Sequence, residues 1–220
     1  KSAGFNYLTA TYYLSGLEKM VFSLEEMLLR NNVPAENIKK DDFGLLHNKG
    51  IILKELKKYE EALDCYDKAI KINYNDPAVY NNKGIVLKEQ GNYNEALDCY
   101  SRAIQINPND WVAYYNKGLM LAKMKKYNEA IDNYSSALRI DRNNISAWNN
   151  KGLAYDEMKK YSEAVACYDK AISIDPSYAS AINNKGIALF HLKLYNEAIE
   201  CYDKAIQIDS KYTAAYNNKG

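Results

Sequence analysis

Several features that would assign a function directly are missing from this sequence of 220 residues. The 29 basic and 28 acidic side chains leave a formal net charge of +1, too small to draw the chain to nucleic acid or to an anionic membrane. No apolar run approaches the ~20 residues of a membrane span, and no hydrophobic signal segment follows Lys1. We therefore expect no nucleic-acid partner and no direct membrane insertion.

Residues that carry catalysis or bind metals are few and far apart. The two histidines, His47 and His191, belong to no recognisable catalytic motif, and there is no G-x-x-x-x-G-K-[ST] phosphate loop. The cysteines lack the close spacing of a zinc site, so we interpret them as reduced thiols in a cytoplasmic, reducing compartment. The chain is predicted to be no enzyme and to hold no metal and no cofactor. The cysteines are Cys65, Cys99, Cys167 and Cys201.

Tyrosine, by contrast, is in excess: 21 Tyr stand against 4 Phe and 2 Trp. A bias of this kind indicates a repeated motif. Glycine recurs every 34 residues from Gly50 to Gly220, each time preceded by Asn-Lys. After each of the first five of these glycines, tyrosine follows at 9 and 16 residues and alanine at 12 and 19 residues. The repeats are therefore counted from 43, 77, 111, 145 and 179, and positions below refer to this count.

Each repeat predicts two helices joined by a short polar turn. In the second repeat Tyr80, Gly84 and Leu87 share one helical face, and residues 93–104 have helical spacing again. Small residues at Gly84 and Ala96 allow the two helices of the pair to approach closely. Each repeat is thus a helical hairpin.

The helix starts also have recognisable signals. Asp76-Pro77 predicts a helix with an aspartate cap and a proline in its first turn. Asn94-Glu95 predicts a cap and a favourable negative charge at the start of the second helix of that repeat.

This pattern resembles the tetratricopeptide repeat family, with glycine at position 8, alanine at 20 and 27, and aromatic residues at 17 and 24. The resemblance implies an all-α, right-handed superhelical solenoid of antiparallel helix pairs that acts as a protein–protein interaction scaffold. It covers residues 43–212, followed by the start of a sixth repeat at 213–220. The five predicted repeats are 43–76, 77–110, 111–144, 145–178 and 179–212.

Residues 1–42 depart from the repeat pattern. Phe5–Leu14 and Leu17–Arg30 are predicted to be helices of an N-terminal cap or a degenerate repeat, and Asn31–Asp42 a linker or short helical turn. Because a solenoid needs a polar cap at each end, we expect the chain to be a piece of a longer protein. An uncapped end also predicts end-to-end self-association.

Positions 2, 6, 9 and 13 of the first helix fall on one arc, opposite the packing residues. The family resemblance implies that this arc lines a concave groove. An amide at position 6 can grip a peptide backbone, and rungs roughly 10 Å apart match about three residues of an extended chain. The partner is therefore predicted to be an extended protein segment, neutral to basic in charge. The predicted groove residues are Asn48, Asn82, Asn116, Asn150 and Asn184, the aliphatic residues Ile85, Leu119 and Leu153, and the acids Glu89 and Glu157.

Three alternatives stay open at this point. The repeated asparagine could instead bond a neighbouring helix. The solenoid could dock by its convex face or edges as a structural module of a large assembly. It could also be the recognition arm of an enzyme whose catalytic domain lies outside these residues.

Overall fold

The computed structural model describes residues 35–210 and 213–219, and every regular element within them is an α-helix. The predicted cap helices Phe5–Leu14 and Leu17–Arg30 lie outside the described residues. The helices are α1 (Ala35–Glu55), α2 (Tyr59–Ile72), α3 (Pro77–Glu89), α4 (Tyr93–Ile106), α5 (Trp111–Lys123), α6 (Tyr127–Ile140), α7 (Ile145–Glu157), α8 (Tyr161–Ile174), α9 (Ala179–His191), α10 (Tyr195–Ile208) and α11 (Thr213–Lys219).

The helices follow the 34-residue period. They form two compact units, Lys1–Asn107 and Pro108–Gly220. Within each unit, the two helices of a repeat pack against each other and against the neighbouring repeat. The prediction of an all-α chain built from antiparallel helix pairs is confirmed.

The first described helix differs from the prediction. Residues 35–42, interpreted from the sequence as a linker or short helical turn, belong to the continuous helix α1, which ends at Glu55. These residues contain neither glycine nor proline and include alanine, glutamate and lysine, which favour helix. The linker prediction is therefore wrong from Ala35 onward.

The helix starts agree with the sequence signals only in part. As predicted, Asp76 caps α3, and its carboxylate accepts from the backbone N–H of Ala78 at 2.8 Å. The predicted cap at Asn94 is wrong, because α4 already begins at Tyr93 and its preceding residue makes no side-chain cap bond. Glu95 does lie in the first turn of α4, where its charge favours the helix dipole.

The turn inside each repeat uses a left-handed residue at position 15. In the third repeat the N–H of Lys126 donates to Leu121 O at 2.8 Å and that of Lys125 to Ala122 O at 2.9 Å, which is a Schellman ending. A non-glycine residue in this conformation costs about 1–2 kcal/mol. The left-handed residues are Lys57, Gly91, Lys125, Lys159 and Lys193.

The core of each repeat is a tyrosine packed onto a glycine. Tyr134 is 1% exposed, and a Cβ built on Gly118 would lie only 2.7 Å from its ring. Burying a side chain of this size stabilises the fold by about 1.5–3 kcal/mol. The other pairs, with equally close approach, are Gly50 with Tyr66, Gly84 with Tyr100, Gly152 with Tyr168 and Gly186 with Tyr202.

Candidate functional site

The predicted groove residues lie at the surface of their helices in both units. We call positions 2, 6, 9 and 13 of the first helices the first-helix stripe. Its asparagines are exposed at Asn48 and Asn218 and half-buried elsewhere, and Leu153 is 38% exposed. The acids Glu89 and Glu157 are exposed, while Ile85, Leu119 and the asparagines Asn82, Asn116, Asn150 and Asn184 are half-buried. Within each unit these side chains are therefore accessible to a bound chain.

Each of four asparagines at position 6 bonds the preceding repeat. In the first unit the amide nitrogen Nδ2 of Asn82 lies 2.8 Å from Nε2 of His47. In the second unit Nδ2 of Asn150 donates to Oη of Tyr115 at 2.8 Å. Further along, Asn184 donates to Oδ1 of Asn149 at 3.1 Å and Asn218 to Oδ1 of Asn183 at 3.0 Å. The acceptor always stands at position 5, so we call these bonds the 5–6 rungs.

The rungs answer one question that the sequence left open. The asparagines do bond a neighbouring helix, as the alternative interpretation proposed. An amide offers two N–H donors and one carbonyl acceptor, and a rung uses one N–H. The remaining donor and the Oδ1 atom keep their capacity for a ligand, on a side chain whose orientation is already fixed.

Position 5 is the functional feature that the sequence analysis undervalued. His47 and Tyr115 interrupt a row of asparagines at this position, yet each presents an acceptor at the same place as Asn149 and Asn183. The signal in the sequence is the shared chemistry of His, Tyr and Asn, rather than identity.

The chemistry of the first rung requires a neutral histidine. An amide nitrogen only donates, so Nε2 of His47 must accept from Asn82. Burial lowers the pKa of His47, against a smaller opposing effect of Asp76. The folded protein therefore favours the neutral ring, and the rung is present above the ordinary pKa and lost as the pH falls through the lowered one.

The acids of the stripe already have partners. Glu55 lies 3.1 Å from the Nζ of Lys54, and Glu89 lies 2.9 Å from that of Lys88. In the second unit, Oη of Tyr127 donates to the carboxylate of Glu157 at 3.1 Å. The lysines offset part of the charge of Glu55 and Glu89, whereas the neutral hydroxyl of Tyr127 does not offset that of Glu157.

A partly buried polar contact joins the two helices of the fourth repeat. Oη of Tyr168 donates to the carboxylate of Asp156 at 2.5 Å. Burial raises the pKa of Asp156 to about 6, while the bond from Tyr168 and the nearby His191 oppose that rise. The other described repeats have lysine, alanine or phenylalanine at this position, so this acid is particular to the fourth repeat.

The four cysteines carry free thiols. Burial raises the pKa of Cys99 and of Cys167 to about 11. They are therefore protonated at neutral pH and poorly nucleophilic. Within the described part of the chain, His, Cys, Asp and Glu nowhere gather in threes as a metal ion would need. Across residues 35–210 and 213–219, no helix combines the length and apolar character of a membrane crossing.

Comparison with known families settles the architecture. The tetratricopeptide repeat model matches residues 77–110, 111–144, 145–178 and 179–212, and a second TPR repeat model matches residues 50–91. The chain belongs to the tetratricopeptide repeat family. Among proteins of curated function, no sequence matches it significantly.

Solved tetratricopeptide structures share this fold. YrrB, described as a TPR protein with an unusual peptide-binding site, is 24% identical, with a TM-score of 0.71 over 84% of this chain and 96% of its own. MamA from Desulfovibrio magneticus is 24% identical, with a TM-score of 0.72 over 78% of this chain and 97% of its own. PilF of Pseudomonas aeruginosa is 18% identical, with a TM-score of 0.72 over 82% of each chain.

The tetratricopeptide repeat typically serves as a non-catalytic module for protein–protein interaction. Membership in the family supports a protein–protein interaction scaffold whose partners are proteins or peptides.

Proposed function

We propose that this chain is a scaffold that binds an extended protein segment along the first-helix stripe within a unit. Two features of the stripe support this: a partly exposed aliphatic row, and asparagines held by the 5–6 rungs. A side chain that is already ordered loses less conformational freedom when it binds. Each asparagine would offer its Oδ1 and its second N–H to the backbone of the segment, about once every three residues.

We propose further that the segment is neutral to basic. Glu89 and Glu157 stand on the stripe, and only the charge of Glu89 is partly offset, by Lys88. Readout of the partner's side chains would come from the aliphatic row of Ile85, Leu119 and Leu153. This predicts a preference for small apolar residues in the partner.

The test begins with selection of a ligand. Random peptides of about twelve residues, long enough for four rungs at ~3.3 Å per residue, are displayed on phage and panned against the whole chain. Leu153→Glu should weaken the binding of the selected peptides at least tenfold, because it places a charge in the aliphatic row. Ile72→Glu is the matched control, since Ile72 is also 38% exposed but lies on a second helix. Equal effects of the two changes, or no effect of either, would contradict the proposal.

Asn150 needs a two-part measurement. Because its Nδ2 bonds Tyr115, Asn150→Ala should lower both peptide affinity and stability, the latter by about 1 kcal/mol. Tyr115→Phe removes the same rung but keeps the asparagine. If both variants bind peptide equally, the amide makes no contact with the ligand.

We also propose that the chain self-associates end to end. Tyr195 and Ile199 are 51% and 43% exposed, and the ring of Phe190 lies 5.4 Å from that of Tyr195. The equivalent tyrosine of the preceding repeat, Tyr161, stacks on His191 of the next repeat with ring centroids 4.6 Å apart. We propose that a second copy packs on this apolar face.

Light scattering during gel filtration tests the self-association. The mass should rise with protein concentration, and Ile199→Glu should leave a monomer while Ile72→Glu should not. A constant monomer mass at all concentrations would refute it.

The compartment is a further proposal. Four free thiols in the chain support a reducing, intracellular location.

A further inference from the structure

A cationic pocket lies in the second unit, away from the first-helix stripe. It is a cavity of about 460 Å³ between the carboxyl-terminal halves of α6 and α8 and the first turns of α7. On α7 it uses Trp148 and Lys151, whereas the stripe uses Ser146, Asn150 and Leu153. At about 100° of rotation per residue, Trp148 and Lys151 point more than a quarter turn away from that stripe.

Four cations and no acid line this pocket: Arg139, Arg142, Lys151 and Lys170. Arg139 donates to Oγ of Ser136 at 2.9 Å, and Lys151 lies 5.5 Å from the centre of the Trp148 ring. Across the described residues, none of the four has a carboxylate within ion-pairing distance. Concentrated positive charge of this kind, unbalanced inside the molecule, favours an anion from outside.

Two equivalent junctions are neutralised from within. There, lysine at position 7 pairs with aspartate at position 25 of the preceding repeat: Lys83 lies 2.5 Å from Asp67, and Lys185 lies 2.7 Å from Asp169. At the cationic pocket, Ser135 stands in the aspartate's place. Its hydroxyl turns back to Ile131 O at 2.6 Å and offers Lys151 no charge. One substitution in the repeat pattern thus leaves the pocket open to an outside partner.

The walls of the pocket fit a side chain attached to a peptide. Leu138, Ile174 and the Trp148 ring supply apolar surface beside the cations. The indole N–H is already satisfied by Arg142 O at 3.0 Å, which fixes the ring. Arginine binds phosphate and carboxylate through its planar fork of donors. The volume of the cavity exceeds that of a bare anion, so we expect the occupant to carry apolar residues next to its negative group.

We propose that this pocket is a second binding site, which holds an anionic side chain of a protein segment with apolar neighbours. A phosphorylated serine or threonine and a pair of acidic residues share the required chemistry. The site does not depend on the peptide binding proposed for the first-helix stripe, since no residue is common to both.

Tryptophan fluorescence and calorimetry test the site. Trp111→Phe leaves Trp148 as the sole tryptophan of the chain, so its emission reports on the pocket. The probe is a short capped peptide with one phosphoserine between two leucines, titrated beside its glutamate-pair and unmodified serine counterparts. The phosphopeptide should shift the Trp148 emission and bind at least tenfold more tightly than the serine peptide. An equally tight glutamate peptide would identify an acidic segment, and a much weaker one a phosphorylated segment.

Two variants make the result decisive. Ser135→Asp installs the residue that the chain itself carries at position 25 of three other repeats, so the fold accommodates it. This variant should weaken the binding of the phosphopeptide about tenfold or more. Ser162→Asp makes the same change of charge at the opposite end of α8 and should leave binding within twofold. Equal binding of phosphorylated and unmodified peptides, or equal effects of the two variants, would overturn the proposal. A short DNA strand that binds more tightly than either anionic peptide would overturn the assignment to a protein segment.

Discussion

Replacing Gly118 by alanine should destabilise the chain, although alanine is the better helix former. The new Cβ would lie 2.7 Å from Cε1 and 2.8 Å from Cδ1 of Tyr134. Carbon atoms in ordinary contact are about 3.5–4.0 Å apart, so the ring would have to retreat by about 1 Å. Tyr134 is 1% exposed, so the ring could retreat only by displacing its neighbours in the core. Overpacking of this kind costs about 1–3 kcal/mol, against a helix-propensity gain of about 1 kcal/mol.

Gly44→Ala supplies the matched control. Gly44 also lies within a helix, but nothing stands within 4 Å of an added Cβ. Only the propensity gain remains there, so this variant should be more stable by about 0.5–1 kcal/mol. Urea unfolding followed by circular dichroism gives both values, and their difference isolates the clash.

A double variant checks the cause. Tyr134→Leu removes the ring that the new methyl group meets, so Gly118→Ala should be harmless in that background, with a favourable coupling of about 1–3 kcal/mol. If the two glycine variants shift stability in the same direction by the same amount, the close glycine–tyrosine contact does not govern this core.

Further predictions concern buried polar groups and turns. The hydroxyl of Tyr100 is buried without a hydrogen-bond partner among the described residues, so Tyr100→Phe should raise the free energy of unfolding by about 1 kcal/mol. Tyr168→Phe should lower the free energy of unfolding by about 1 kcal/mol, because it loses the hydrogen bond to Asp156. Urea titrations compare the two variants. Because the pKa of Asp156 is raised to about 6 from its ordinary 3.8, its protonated form stabilises the fold below about pH 3.8, and that contribution is lost as the pH rises through about 6. The stability of Asp156→Asn relative to the unsubstituted chain should therefore rise by about 1–2 kcal/mol between pH 4 and pH 7, after allowance for partial exposure. Melting curves measured as a function of pH test this, and parallel pH dependences of the two proteins would refute it. Lys125 has φ 60° and Gly91 φ 85°, so Lys125→Gly should raise the thermal midpoint and Gly91→Ala should lower it, each by the equivalent of about 1 kcal/mol, and calorimetry measures both shifts.

The repeat architecture could be predicted because its determinants are local and periodic. Gly84, Ala96 and Tyr100 recur at fixed positions, and their sizes alone indicate where two helices approach closely. The start of α1 was missed because residues 35–42 do not follow the repeat pattern, although their composition favours helix.

Contacts between repeats were harder to predict. The 5–6 rungs join residues 35 apart, and the shared acceptor chemistry of His47, Tyr115 and asparagine is the only sequence signal for them. Only the register of neighbouring helices reveals that these side chains present an acceptor at one place. The cationic pocket escaped notice for the same reason, since its four cations come from three helices and the loop that carries Arg142, and the chain as a whole is nearly neutral.

The 5–6 rungs bear on how the chain unfolds. In a repeat protein each repeat contacts only its neighbours, so the cooperativity of unfolding depends on the strength of every interface between successive repeats. A rung couples the folding of the first helix of one repeat to the folding of the first helix of the preceding repeat. Where the rung depends on His47, acidification would weaken the coupling at that interface alone. A single sharp transition would then separate into steps, with the first repeat melting ahead of those that follow it.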